Sequence, residues 1–210
     1  YCMDSHQSLS DALSVRPYLR ERFKTSHTVL ERTYRCPVHV VLAANEILHL
    51  KTLVTGGLAD KLESRRIEAV SEEKEAGAVA LLNQAKLQDS AWLAADKGSQ
   101  FAVVAEEEHH AEAAAYFNTA CVFTPESIKG LERDIVVAYR LFDNAHIKAA
   151  NRLLSEAAHP AAEAKTHRAK SGAGDSQHGP AFNRVYTAYT RARETLLVFE
   201  ENTRDTKHLL

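Results

Sequence analysis

Residues 183–193 read N-R-V-Y-T-A-Y-T-R-A-R and run into the apolar stretch Leu196-Leu197-Val198-Phe199. A guanidinium is planar, forked and permanently charged, so arginines at such a junction suit the charge on a transferring phosphoryl group. Residues 124–132 read T-P-E-S-I-K-G-L-E and follow the apolar run Cys121-Val122-Phe123. Lys129-Gly130 lets the backbone turn sharply there. The C-terminal ends of strands are where open α/β sheets bind ligands. The plainer reading of both segments is a solvated helix face with three arginines and a strand-to-helix turn with a solvated lysine.

Other constellations are weaker alone. Thr33-Tyr34-Arg35-Cys36-Pro37 offers an aromatic ring and a second guanidinium, a combination suited to a nucleotide cleft. Residues 101–110, F-A-V-V-A-E-E-E-H-H, have the outline of a strand ending in Mg²⁺-binding carboxylates, but Ala105 stands where the aspartate is needed. Glu106 and His110 have the i, i+4 spacing of helical metal ligands, yet no third ligand is evident, so a solvated face is expected. Cys36 and Cys121 have no neighbouring base, and no nucleophile is expected of them.

These residues must be positioned by regular elements. The segment from Ser8 to Phe23 reads as helical or turn-like, punctuated by Pro17. Val38, Val41, Leu42, Asn45, Leu48 and His49 recur at helical spacing. An alternation then begins. Residues 76–82 read as a buried strand, 83–97 as a helix with Leu87 and Trp92 inward, and 100–105 as a strand. Residues 106–118 read as a helix with glutamates in its first turn, where the helix dipole favours them. Strands follow at 121–124, 135–139 and 196–199. Apolar strands alternating with helices predict an α/β fold, a mostly parallel β-sheet covered by helices on both faces. Residues 157–180, rich in Ala, Lys, Gly, Ser and His, break the pattern and are expected to form a mobile insert.

Length and composition set the limits. A chain of 210 residues accommodates one full domain, or one domain and a fragment. With 45% hydrophobic and 26% charged residues it has the make-up of a globular protein. A net charge of -2 supplies no overall basic field for nucleic acid, which leaves only a local groove for such a role. Three scattered cysteines without a C-x-x-C pair suit reduced thiols, hence a cytoplasmic location. No apolar run approaches membrane-spanning length, so no membrane partner is expected. The chain starts at Tyr1 and reads as a fragment of a longer protein.

The segments at 124–132 and 183–193 resemble motifs V and VI of the UvrD/Rep-like superfamily 1 DNA helicases. In the first, Thr124, Lys129, Gly130, Leu131 and Glu132 match T-x-H-x-x-K-G-L-E, with Glu126 where histidine is usual and Pro125 also a departure. In the second, Thr190-Arg191-Ala192 matches the T-R-A that ends a helix. Thr33-Tyr34-Arg35-Cys36 is similar to the N-Y-R-S of motif IV, and Asp4-Ser5-His6-Gln7-Ser8 to the G-D-x-x-Q-S of motif III, with Met3 in place of glycine. All four occur in the family's order. The resemblance implies a RecA-like domain, the second of a pair, with residues 1–30 ending the first domain and 31–210 forming the second. It implies that Tyr34 stacks on adenine and that Arg35 and Arg191 contact the γ-phosphate, Arg191 as the arginine finger. It implies Gln7 as a γ-phosphate sensor, Glu132 facing the nucleotide, and Ser127 and Lys129 facing single-stranded DNA. The cofactor implied is ATP with Mg²⁺, bound mainly by the upstream RecA-like domain, since nothing here reads G-x-x-x-x-G-K-[ST]. The isolated chain is then expected to be inactive and the full protein to be an ATP-dependent DNA helicase. A carboxylate at 126 would repel a DNA phosphate. The departures at Met3, Thr33, Pro125 and Glu126 keep a second expectation open, a helicase-derived module that binds a protein partner without moving. Motifs IV and V also lie too close together to hold the large helical subdomain that many members insert between them.

Overall fold

The computed structural model describes residues 21–22, 32–55, 67–69, 77–82, 97–156 and 178–201. Gln7, the helix expected over 83–97 except its last residue, and most of the insert expected over 157–180 lie outside the described residues. The last three residues of that expected insert are described. They open a helix, with Pro180 in the first turn, where its missing N–H costs nothing.

Among the described residues the chain forms an α/β fold with a five-stranded, all-parallel sheet, consistent with a RecA-like domain. In chain order the elements are β1 (Arg32–Thr33), α1 (Val38–Thr55), β2 (Glu68–Ala69), β3 (Ala78–Leu82), β4 (Phe101–Val104), α2 (His110–Phe117), β5 (Val122–Phe123), β6 (Arg133–Tyr139), α3 (Ala145–Glu156), α4 (Gly179–Tyr189) and β7 (Ala192–Phe199). The sheet order is β3-β7-β6-β4-β5, and β1 pairs separately with β2. Val136 of β6 lies opposite Ala102 of β4 on one side and Leu196 of β7 on the other.

Strict alternation along the central strands sorts the core into two halves. Ala102, Val104, Val136, Ala138, Leu196 and Val198 point to one face, where they pack with Val40, Ala44 and Ile47 of α1, Ile147 of α3 and Phe182 and Tyr186 of α4. Phe101, Val103, Val137, Tyr139 and Phe199 point to the other, against Ala113 and Phe117 of α2. There Tyr139 stacks on Phe199 with centroids 4.8 Å apart, and Phe117 meets Tyr139 edge-on. Burial on both faces explains why β4 is apolar at every position.

Three expectations change. The strand expected to be buried over 76–82 is β3 at the sheet edge, with each residue from Ala78 to Leu81 exposed. Its apolar run matches a central strand, but among the described residues it pairs only with β7. In α1 the inward stripe includes Val40, Val41, Ala44, Asn45, Ile47, Leu48 and Lys51, so Val41, Asn45 and Leu48 face inward while Leu42 and His49 are exposed. Asn45 is inward because its amide serves the backbone of Ile67, donating to its carbonyl at 2.8 Å and accepting its N–H at 3.0 Å. The expected helix over 106–118 begins as a short 3₁₀ turn, Glu107–His109, and becomes α-helical at His110.

Candidate functional sites at the two ends of the sheet

A parallel sheet has two chemically different ends, and the candidate residues divide between them. At the N-terminal end lie the residues that precede β3, β6 and β7. Gly77 holds φ +67, and a Cβ there would lie 2.3 Å from Pro37 Cγ, so only glycine lets the segment carrying Tyr34, Arg35 and Cys36 seat on the sheet. The Cys36 thiol donates to the Thr190 carbonyl at 3.5 Å. The Arg133 N–H donates to the Arg191 carbonyl at 3.0 Å, which sets the start of β6 beside Arg191, the residue just before β7.

Here Arg35 Nε approaches Glu132 Oε1 at 2.5 Å, with the two side chains 37% and 39% exposed. The approach is an ion pair without hydrogen-bond alignment, because Arg35 Nε makes no aligned bond. Arg191 is only 2% exposed. Its guanidinium folds back on the end of α4, Nε donating to the Thr187 carbonyl at 3.1 Å and Nη2 to the Thr190 hydroxyl at 3.2 Å. A cation is favoured there by the negative end of the helix dipole. The Tyr34 ring is exposed. The structure thus brings Arg35, Glu132 and Arg191 to one end of the sheet, with Tyr34 adjacent to Arg35 in the chain.

Between the ends runs the turn 124–130. Gly130 holds φ +90, the left-handed backbone expected of Lys129-Gly130. Thr124 and Ser127 satisfy one another. The Ser127 hydroxyl accepts the Thr124 N–H at 2.9 Å, and the Thr124 hydroxyl accepts the Ser127 N–H at 3.1 Å. Ser127 and Lys129 are both exposed, Ser127 at the C-terminal end of β5 and Lys129 further along the turn.

At the C-terminal end the sheet has a topological switch. From β4 the chain crosses by α2 to β5 on one side, while from β6 it crosses to β7 on the other. Open α/β sheets form their ligand crevice at such a point. A cleft of about 750 Å³ lies here, lined by residues that include Glu106, Glu107, Thr124, Glu126, Asp143 and Arg184. Arg184 reaches in from α4. It forks onto Glu106, Nε donating to one carboxylate oxygen at 2.8 Å and a terminal nitrogen to the other. Its remaining terminal nitrogen donates to Glu126.

Arg140, in a left-handed conformation at φ 52, gathers Asp143 at 2.7 Å, Glu112 at 3.0 Å and Glu201 at 3.0 Å. Burial opposes ionisation of Asp143, but Lys148 at 2.8 Å and Arg140 outweigh it and hold the carboxyl below its ordinary range. Glu200 is the reverse case. It is 3% exposed and accepts the Phe142 N–H at 3.2 Å. Burial pushes its carboxyl up to about 8, and the Asp143 charge adds to that.

Sequence reasoning missed Arg184, Arg140 and Glu200. The available signal was Glu126, a carboxylate placed where a phosphate contact was expected and therefore in need of a cation. The Glu106–His110 spacing is resolved differently from a metal pair. Glu106 is held by Arg184, and His110 Nε2 lies 3.3 Å from the Ala105 carbonyl. Among the described residues no helix is long and apolar enough to cross a membrane. Neither a family model nor a curated protein matches this chain.

Proposed function

We propose that this chain is the C-terminal motor half of an ATP-dependent DNA helicase or translocase, acting with an upstream RecA-like domain. One observation carries the reading. Three segments far apart in sequence, ending at Arg35, Glu132 and Arg191, meet at one end of a parallel sheet. Two guanidinium groups beside an exposed aromatic ring form a donor set that fits a nucleoside triphosphate. Mg²⁺-ATP would supply the phosphoryl group whose transfer releases the driving energy. In this arrangement Tyr34 stacks on the base and Arg35 is oriented by Glu132. Arg191 exchanges the Thr187 carbonyl for a phosphate oxygen, a step that requires its side chain to leave the end of α4. Gln7 would report nucleotide state to the domain junction, and Ser127 and Lys129 would meet the DNA strand.

The test is single-turnover ATP hydrolysis by the full-length protein that carries this chain, with and without single-stranded DNA, comparing wild type with Arg191→Ala. A strand-stimulated rate that falls about 10³-fold or more supports an arginine finger. Equal rates, or no stimulation by DNA, reject the motor.

A second reading has its own observation. Thr124 and Ser127 bond one another, and the cleft beside them is rich in carboxylates. A helicase-derived module that binds a protein partner with a basic surface would use that end of the sheet and would show no strand-stimulated turnover.

A further inference from the structure

The fork between Arg184 and Glu106 and the arm between Arg184 and Glu126 differ in kind. The Arg184 and Glu106 side chains are 19% and 17% exposed and meet through two parallel donors, a geometry that holds the guanidinium in one orientation. Glu126 is 48% exposed and is reached by the one remaining terminal nitrogen. Glu106 follows β4 and Arg184 sits on α4, so that nitrogen is aimed by the core of the domain. Glu126 comes from the exposed turn that also carries Thr124 and Ser127. The guanidinium therefore presents a built anion position, and a surface carboxylate is seated in it.

We propose that the Arg184 edge facing Glu126 is a phosphate subsite for a nucleic-acid strand, and that Glu126 is its internal competitor. The proposal rests on the helicase reading above and goes beyond it, because no motif of the resemblance assigns a role to Arg184. Its electrostatics are those of an exchange. One anion replaces another on the same donor, so the fork with Glu106 is undisturbed. The Thr124 and Ser127 hydroxyls accept one another's backbone N–H groups and donate within the same turn, Thr124 to Ser127 Oγ and Ser127 to the Thr124 carbonyl, so a phosphate there is held by Arg184. Glu107 and Glu108 line the same cleft, so the attraction comes from Arg184 and wild-type affinity at this end is low. Removing the competitor's charge is accordingly the largest single change available. It both vacates the donor and removes a repulsion.

The experiment is fluorescence anisotropy of a labelled single-stranded DNA oligonucleotide with the full-length protein, over a salt series. Glu126→Gln is expected to tighten binding roughly fivefold or more and to steepen the salt dependence. The double replacement Glu106→Gln with Arg184→Gln, which leaves no buried charge unpaired, removes that gain when added to Glu126→Gln. An unchanged affinity in Glu126→Gln, while wild-type turnover is strand-stimulated, overturns the subsite and leaves the helicase reading standing. Failure of both proteins to bind the oligonucleotide overturns both. Tighter binding of inorganic phosphate to Glu126→Gln, without tighter binding of the oligonucleotide, assigns the position to free phosphate and overturns its assignment to a strand.

Discussion

At the N-terminal end of the sheet Arg35 meets Glu132 where both side chains are more than a third exposed, and Arg191 folds onto the carbonyl and hydroxyl of its own helix end. At the C-terminal end Arg184 holds two carboxylates and Arg140 holds three. The same residue type is used for two purposes. A guanidinium saturated by carboxylates ties loops together, as Arg140 ties α2 to the loops after β6 and β7. A guanidinium that donates to the carbonyl and hydroxyl of a helix end presents the same forked donors that suit a phosphate. On this comparison the N-terminal end is the candidate for nucleotide chemistry, and the C-terminal end admits an anion only by exchange.

Arg191→Ala should have the largest effect, a loss of about 10³-fold or more in strand-stimulated hydrolysis by the full-length protein. Arg191→Lys, which keeps a cation and most of the buried side chain in place, should lose most of that turnover while the unfolding free energy changes far less. If stability collapses instead, the N-terminal end is structural and the comparison fails. Next is Glu200→Gln, read through pH. The native carboxyl titrates near 8 and the unfolded one near 4.5, so between these values the native state keeps a proton that the unfolded chain has lost. Stability from this group is fully present below about 4.5 and is lost as pH rises through 8, on the order of 5 kcal/mol in all. Urea midpoints from pH 5 to 8.5 should fall for wild type, and this component should vanish in Glu200→Gln, whose amide oxygen still accepts the Phe142 N–H. Parallel curves would mean that Glu200 is ionised and solvated. Arg184→Ala should cost about 3 kcal/mol, because it leaves Glu106 charged and largely buried without a partner. Glu126→Gln, on the exposed arm of the same cation, should stay within about 0.5 kcal/mol.

The strands were legible because their apolar runs are long enough to fill both faces of a sheet, as in Phe101-Ala102-Val103-Val104. The same rule misplaced β3, since an apolar run carries no record of whether a neighbour pairs on both sides. The meeting of Arg35, Glu132 and Arg191 was legible only through motif order. Nothing local to Thr33-Tyr34-Arg35 says that it will lie against the start of β6. The C-terminal cleft was illegible for a related reason. Its residues follow different strands and come together only once the sheet order is known, and the 3.6-residue period of α4 does not reveal that Arg184 leans toward the strand ends. Glu126 was noticed as an obstacle to phosphate, and its partner was already in view in the neighbouring motif. Pairing the two required the topology.

Glu132→Gln is predicted to change stability as little as Glu126→Gln and is the sharpest probe of the contrast. The Arg35–Glu132 pair is more than a third exposed at both partners and is screened by water and salt. Its removal should therefore change the urea unfolding midpoint by no more than about 0.5 kcal/mol equivalent. Its consequence should instead appear in nucleotide affinity of the full-length protein, where Arg35 loses the carboxylate that orients it. A cost near that of Arg184→Ala would show that this end is built as the other is, with its charge pair holding loops in place. An unchanged midpoint with weakened nucleotide binding would show that Glu132 serves the ligand, because a pair worth little to the fold then matters to an occupant that only the N-terminal end receives.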